Sequence, residues 1–182
     1  MATGGSQGAE AVNRLMLTLL PRVIADSDLG MIWATGKRYY PEVMKMVRER
    51  FGSSLDTTRI QIFEYFYQIQ RVYQAADLAV GRAGAMTLTD CEAFGIPAVL
   101  IPSPHVSEDH QTKNAQVIEA RGAALALRED DIPERSDEVL SLLRDEERCQ
   151  EMGARMASLF DAEALSRIMK TVVAASRTSR RG

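Results

Sequence analysis

Short apolar runs alternate with longer amphipathic stretches along this chain. Residues 30–34 (GMIWA), 59–63 (RIQIF, polar and apolar by turns), 78–81, 98–101 and 123–127 read as buried or half-buried strands. Between them the spacing predicts helices over 8–20, ended by Pro21, over 40–50, over 68–75, over 87–94 and over 109–121. Pro41 falls in the first turn of the second of these, where proline is tolerated. Past Pro133 the pattern is wholly helical, at 136–144, 146–160 and 162–175. Strands separated by helices of this length predict an α/β fold, a Rossmann-like parallel sheet with helices on both faces. Residues 1–132 read as that domain and 133–182 as a helical extension packing on it. Gly4 and Gly5 follow only Met1, Ala2 and Thr3, so the first strand is expected to be absent or a stub.

Composition narrows the classes. Hydrophobic residues make up 46% of 182 positions, enough for a full core. A net charge of -3 with a pI near 5.5 argues against a nucleic-acid partner, which needs a clustered basic face. Arg177, Arg180 and Arg181 make the tail locally basic and read as solvated. Cys91 and Cys149 have no metal-ligand spacing and suit a reducing compartment, with Cys91 read as a small buried residue. His105 and His110 form no Cys/His cluster, which disfavours zinc. No run reaches the ~18 apolar residues of a membrane span, and the amino terminus lacks the features of a signal peptide. The expectation is a soluble protein that could meet a membrane surface through a partner.

Three loops carry the candidate chemistry, each placed ahead of a helix. The first is Gly4-Gly5-Ser6-Gln7-Gly8-Ala9. Its glycines permit positive φ and close ligand approach, and a helix start offers N–H groups to a phosphate. The spacing is not GxGxxG, so a nicotinamide site is rejected; an ordinary helix start is the plainer alternative. The second runs from Gly81 to Asp90, GRAGAMTLTD. The N–H groups of Ala85, Met86 and Thr87 would be free for ligand oxygens, and Asp90, one turn in, could accept two ribose hydroxyls. Alternatively Thr87 caps the helix and Asp90 complements its dipole. Arg82 could contact phosphate or brace the sheet end through a carboxylate or carbonyls. The third is Asp109-His110-Gln111-Thr112-Lys113-Asn114. Gln111 joins donor and acceptor in one side chain, which suits sugar hydroxyls. Asp109 reads as an N-cap, His110 as either a general base or an exposed loop residue, and His105 is assigned nothing.

GGSQGA at positions 4–9, RAGAMT at 82–87, GIPAVLIPSP at 95–104 and DHQTKNA at 109–115 together resemble glycosyltransferase family 28, the family of the UDP-N-acetylglucosamine transferase of peptidoglycan synthesis. The resemblance runs from the first glycines to about Ile132 and loosely through the helical tail. It implies half of a GT-B architecture, the carboxyl-terminal domain that holds most of the donor. It implies that Ser6 contacts the donor phosphates, with Gly4, Gly5 and Gly8 forming the phosphate loop. Phe66 would hold uracil through its backbone. Ala85, Met86 and Thr87 would meet phosphate and sugar through main-chain groups, Asp90 would bind ribose, and Gln111 the GlcNAc hydroxyls. The family usually has Glu where this chain has Asp90, a reach shorter by ~1.5 Å, one carbon–carbon bond.

The family's amino-terminal domain, with the acceptor site, a membrane-facing patch and the proposed catalytic base, has no counterpart among these motifs. The resemblance requires no metal or cofactor, UDP-GlcNAc being the donor substrate. The expected function is therefore a hexosyltransferase donor domain for inverting transfer of GlcNAc to a lipid-linked acceptor, with no catalytic residue assigned in this chain. Its expected partners are UDP-GlcNAc, an acceptor-binding domain or subunit, and the lipid-linked acceptor at a membrane. The alternative is a non-catalytic UDP-sugar-binding module, or a subunit completed by a partner as in the dolichol-linked GlcNAc transferase. An epimerase on the same fold would need acidic and histidine groups facing the sugar, which are not evident. A bacterial cytoplasmic location, peripheral to the membrane, and a plastid one are both open.

Overall fold

The computed structural model describes residues 1–52, 55–104 and 109–179. Six strands form one sheet, all parallel: β1 (Ala2–Thr3), β2 (Met31–Ala34), β3 (Ile60–Phe63), β4 (Ala79–Gly81), β5 (Ala98–Leu100) and β6 (Ala124–Ala126). Their order is β3-β2-β1-β4-β5-β6. The chain winds outward from β1 to β3, then returns beside β1 and winds the other way. The order therefore reverses between β1 and β4, which opens a crevice outside their carboxyl ends. Strand β1 has two residues, yet it occupies the centre of the sheet.

Strand alternation sorts the core onto two faces. Val80, Val99 and Trp33 pack with α1 (Glu10–Ala25), α2 (Tyr40–Phe51) and α6 (Ile132–Arg144) through Leu15, Val43, Val47, Val139 and Leu142. Ala79, Ala98 and Leu100 turn to the opposite face. There they meet α3 (Ile69–Gln74), α4 (Ala85–Phe94), α5 (His110–Ala120) and α7 (Glu146–Ala157) through Tyr73, Leu88, Ile118 and Met156. Helix α7 contributes to both cores, through Cys149 and Met152 to the first and Met156 to the second. Beyond it α8 (Ala164–Ser179) carries exposed apolar residues.

Two sequence expectations fail locally. Helix α1 does not end at Pro21 but runs on to Ala25. Leu19, Leu20 and Val23 are all buried, and that continuous apolar contact outweighs the hydrogen bond proline cannot make. Helix α4 starts at Ala85, not Thr87, because Gly84 is extended and serves as its N-cap. Thr87 therefore caps nothing.

Candidate functional site

Adjacent strands β1 and β4 aim two helix starts at the same crevice. They pair in register, Ala2 with Val80 and Thr3 with Gly81, so the loops that leave them start about 4.8 Å apart, one strand spacing. Neither helix is closed by a side chain. Ala9 precedes α1 and Gly84 precedes α4, both extended and without a side-chain cap. The first backward bonds are those of Asn13 N–H to the Ala9 carbonyl and of Leu88 N–H to the Gly84 carbonyl. The N–H groups before them, including those of Ala85, Met86 and Thr87, point out of the helix starts without helical partners. Two partial positive charges meet there.

The first loop is built by its glycines. Gly5 and Gly8 take φ of +80° and +79°, and the Gly8 N–H donates to the Gly5 carbonyl at 3.1 Å. Ser6 stands exposed at the turn. Gly4 lies so close under the turn that a methyl on it would sit 2.2 Å from the Ala9 nitrogen. Gly8 is pressed against the loop after β2, where a methyl would lie 2.2 Å from the Thr35 carbonyl oxygen. A buried polar network holds that contact. Asn13 donates to the Thr35 carbonyl at 2.9 Å and accepts from Trp33 Nε1 at 3.0 Å. Thr35 in turn donates to the Phe63 carbonyl at 3.3 Å. Nothing in the motifs singled out Asn13; it reads as one polar position on an otherwise apolar helix face, and that mismatch was the available signal.

Around the second loop, Ala85 and Met86 are exposed, Met86 by 77%. The Thr87 methyl lies over Gly81. Asp90 is half-buried one turn further on, with no hydrogen bond or ion pair among the described residues. Burial pushes its carboxyl above the ordinary value. Arg82 takes the bracing position of its two readings: Nη1 donates to the Ile101 carbonyl at 3.1 Å and to Glu129 Oε1 at 2.6 Å. The Glu129 carbonyl accepts from Arg14 of α1 at 2.7 Å. Glu129, 47 residues from Arg82, was invisible as a site residue in the sequence.

Helix α5 is tied to the same loop. Asn114 donates to the Ala83 carbonyl at 3.0 Å. Gln111, three residues earlier and so on the same face, accepts from the Ser103 N–H at 3.0 Å. That bond leaves the carboxamide NH2 of Gln111 for other acceptors. Asp109 holds the N-cap position in the left-handed region, φ 55°, but its carboxylate caps no N–H, contrary to the sequence reading. His110 is the exposed first residue of α5, and His105 lies outside the described residues. Phe66, in the loop after β3, buries its ring against Phe63 at a centroid distance of 5.8 Å. Its N–H and carbonyl make no backbone hydrogen bond among the described residues. The loop connects to the crevice through the Gly36 N–H, which donates to the Glu64 carbonyl at 3.0 Å.

The arrangement sets two uncapped helix starts side by side, with polar side chains on either flank, a geometry that suits an anion. Residues 1–171 match the glycosyltransferase family 28 C-terminal domain, so the likeness extends well past Ile132 through the helical tail. The chain is 37% identical over 175 residues to a UDP-N-acetylglucosamine--N-acetylmuramyl-(pentapeptide) pyrophosphoryl-undecaprenol N-acetylglucosamine transferase of Salinibacter ruber, covering 96% of this chain and 45% of that protein. It is 34% identical over 173 residues to the protein of the same name from Acetivibrio thermocellus, covering 93% and 45%. Among solved structures, MurG of Acinetobacter baumannii superposes with a TM-score of 0.76 at 25% identity, over 93% of this chain and 48% of that one. The UDP-bound MnaA of S. aureus shares the fold, with a TM-score of 0.66 at 13% identity over 94% and 43%. The chain spans about half the length of the curated relatives it matches. It belongs to glycosyltransferase family 28, as a C-terminal domain with the Rossmann-like fold of GT-B enzymes.

Proposed function

We propose that this chain is the donor-binding domain of a hexosyltransferase that moves GlcNAc from UDP-GlcNAc, with inversion, to a lipid-linked acceptor. The observation that carries the reading is the pair of uncapped helix starts converging from β1 and β4. They offer N–H donors and positive potential to a diphosphate with no cation required. Relatives named as UDP-N-acetylglucosamine transferases supply the sugar and the acceptor class.

In this reading the diphosphate lies across the crevice. Ser6 and the Gly4, Gly5 and Gly8 backbone hold it from one side, and Ala85, Met86 and Thr87 from the other. Uracil meets the N–H and carbonyl of Phe66, which make no backbone hydrogen bond among the described residues. Asp90 accepts the ribose hydroxyls, and the carboxamide NH2 of Gln111 donates to a sugar hydroxyl. Arg82 keeps the second loop in place without itself touching phosphate. As the glycosidic bond breaks, negative charge grows on the departing UDP, and the two helix starts stabilise it where it forms. The acceptor hydroxyl must lose its proton to a base; that group and the acceptor site belong to a separate domain or subunit. No helix among the described residues is long and apolar enough to cross a membrane. A cytoplasmic enzyme peripheral to a bacterial membrane is the setting consistent with the bacterial relatives.

Calorimetric titration with UDP-GlcNAc, UDP and ADP tests the reading. Saturable binding that prefers uridine, weakened by ~1 kcal/mol in Ser6→Ala for one lost hydrogen bond, is expected. A folded chain that binds ADP as well as UDP would refute it.

A further inference from the structure

The two walls of the crevice rest on different cores. The start of α1 packs through Val12 and Leu15 into the first core, whereas the loop from Gly81 into α4 packs through Ala83 and Leu88 into the second. Beneath them β1 and β4 pair over only two positions. Each helix start carries a partial positive charge, so the walls repel one another unless an anion lies between them. Glu129 ties them together. It opens a single 3-10 turn (Glu129–Asp131) after β6, between Leu127 and Ile132, both fully buried in the first core. From that fixed position its carboxylate accepts from Arg82 Nη1 at 2.6 Å and its carbonyl from Arg14 Nη2 at 2.7 Å. The ion pair with Arg82 is mostly buried, so water and salt screen it less than they screen a surface pair.

We propose, resting on the donor reading above, that Glu129 is a positioning residue: it clasps Arg14 of one wall and Arg82 of the other and so fixes the separation of the two helix starts for a diphosphate. Its effect is pre-organisation. With the clasp open, the ligand must order the second loop itself, and fixing the backbone of one residue lowers affinity about fivefold. The loss falls on ligands whose phosphates touch both walls, and it spares uridine, which has none. Main chain and side chain divide the task. Glu129→Ala releases Arg82 alone, Glu129→Gln keeps an acceptor for it, and Arg14→Met releases the other wall.

The test titrates the full 182-residue chain and its Glu129→Ala, Glu129→Gln, Arg14→Met and Arg14→Met/Glu129→Ala variants with UDP and with uridine. Glu129→Ala and Arg14→Met should each weaken UDP about fivefold and uridine less than about twofold, and Glu129→Gln should restore most of the loss. Because the clasp works as one unit, the double variant should also lose about fivefold, not the ~25-fold of independent effects. Hydrogen exchange without nucleotide is a second arm. The Leu88 amide, which makes the first backward bond of α4, should exchange several-fold faster in Glu129→Ala, with the Met156 amide unchanged. A merely structural role would lower the thermal melt and weaken UDP and uridine alike. Equal weakening of the two ligands, multiplicative losses, or an unchanged Leu88 amide in Glu129→Ala overturns the proposal. A wild-type chain that binds ADP as well as UDP overturns the donor reading instead, and Leu88 exchange then decides the clasp by itself.

Discussion

Replacing Gly8 and Gly5 separately by alanine isolates the close contact that holds the first loop against the loop after β2. Both residues have φ near +80°, so alanine at either pays the left-handed penalty of about 1–2 kcal/mol. Their surroundings differ. A methyl on Gly5 meets nothing within 4 Å, whereas one on Gly8 would lie 2.2 Å from the Thr35 carbonyl oxygen, 2.9 Å from the Tyr39 ring and 3.0 Å from the Gly36 Cα. A backbone carbonyl cannot rotate aside as a side chain can. Forced overpacking adds about 1–3 kcal/mol, and the Thr35 carbonyl also accepts the Asn13 bond. Gly8→Ala should therefore cost about 2–5 kcal/mol and Gly5→Ala about 1–2 kcal/mol. Urea unfolding followed by far-UV circular dichroism measures both. With unchanged slopes the midpoints give the difference directly. Equal losses would refute the interlocked-loop argument, since they would mean that only φ matters.

Asn13→Leu should destabilise by about 2–4 kcal/mol, because it strands the buried Trp33 N–H and Thr35 carbonyl together; a midpoint shift in urea checks it. A double-mutant cycle on Arg82 and Glu129, side chains only 19% and 24% exposed, should show coupling of about 1 kcal/mol or more in stability. The Arg82→Met single variant should weaken UDP only modestly if the arginine braces, and far more if it touches phosphate. Donor binding should weaken on acidification as Asp90 takes up a proton. Because burial raises its pKa, the loss should begin at a higher pH than for an ordinary carboxylate; UDP-GlcNAc titrations at several pH values should show that component vanish in Asp90→Asn.

Apolar spacing made most of the fold legible. Each predicted strand lies within a residue or two of an observed one, because a parallel strand buried on both faces is a short apolar run bounded by turns, and the edge strand β3 alternates instead. What periodicity could not weigh was packing. Pro21 looks like a stop until Val23 is seen buried beside it. Thr87 looks like a cap until the extended Gly84 moves the helix start forward. The site divides in the same way. Backbone-driven parts, the glycine turn and the free N–H groups, follow from local sequence. The parts that fix their geometry do not. Asn13 reaches the Thr35 carbonyl 22 residues away, and Arg14 meets Glu129 across 115 residues. Those partners become neighbours only once β1 is inserted at the centre of the sheet.

The most direct test of the central claim is to follow the backbone amides of the 15N-labelled chain by NMR while UDP-GlcNAc is added. The account predicts that the largest shifts fall on Gly5, Ser6, Phe66, Ala85, Met86 and Thr87, from both sides of the β1/β4 crevice, with α7 and β6 unmoved. Shifts confined to one loop, or centred on β6 and the residues after it, would contradict a donor held between the two helix starts.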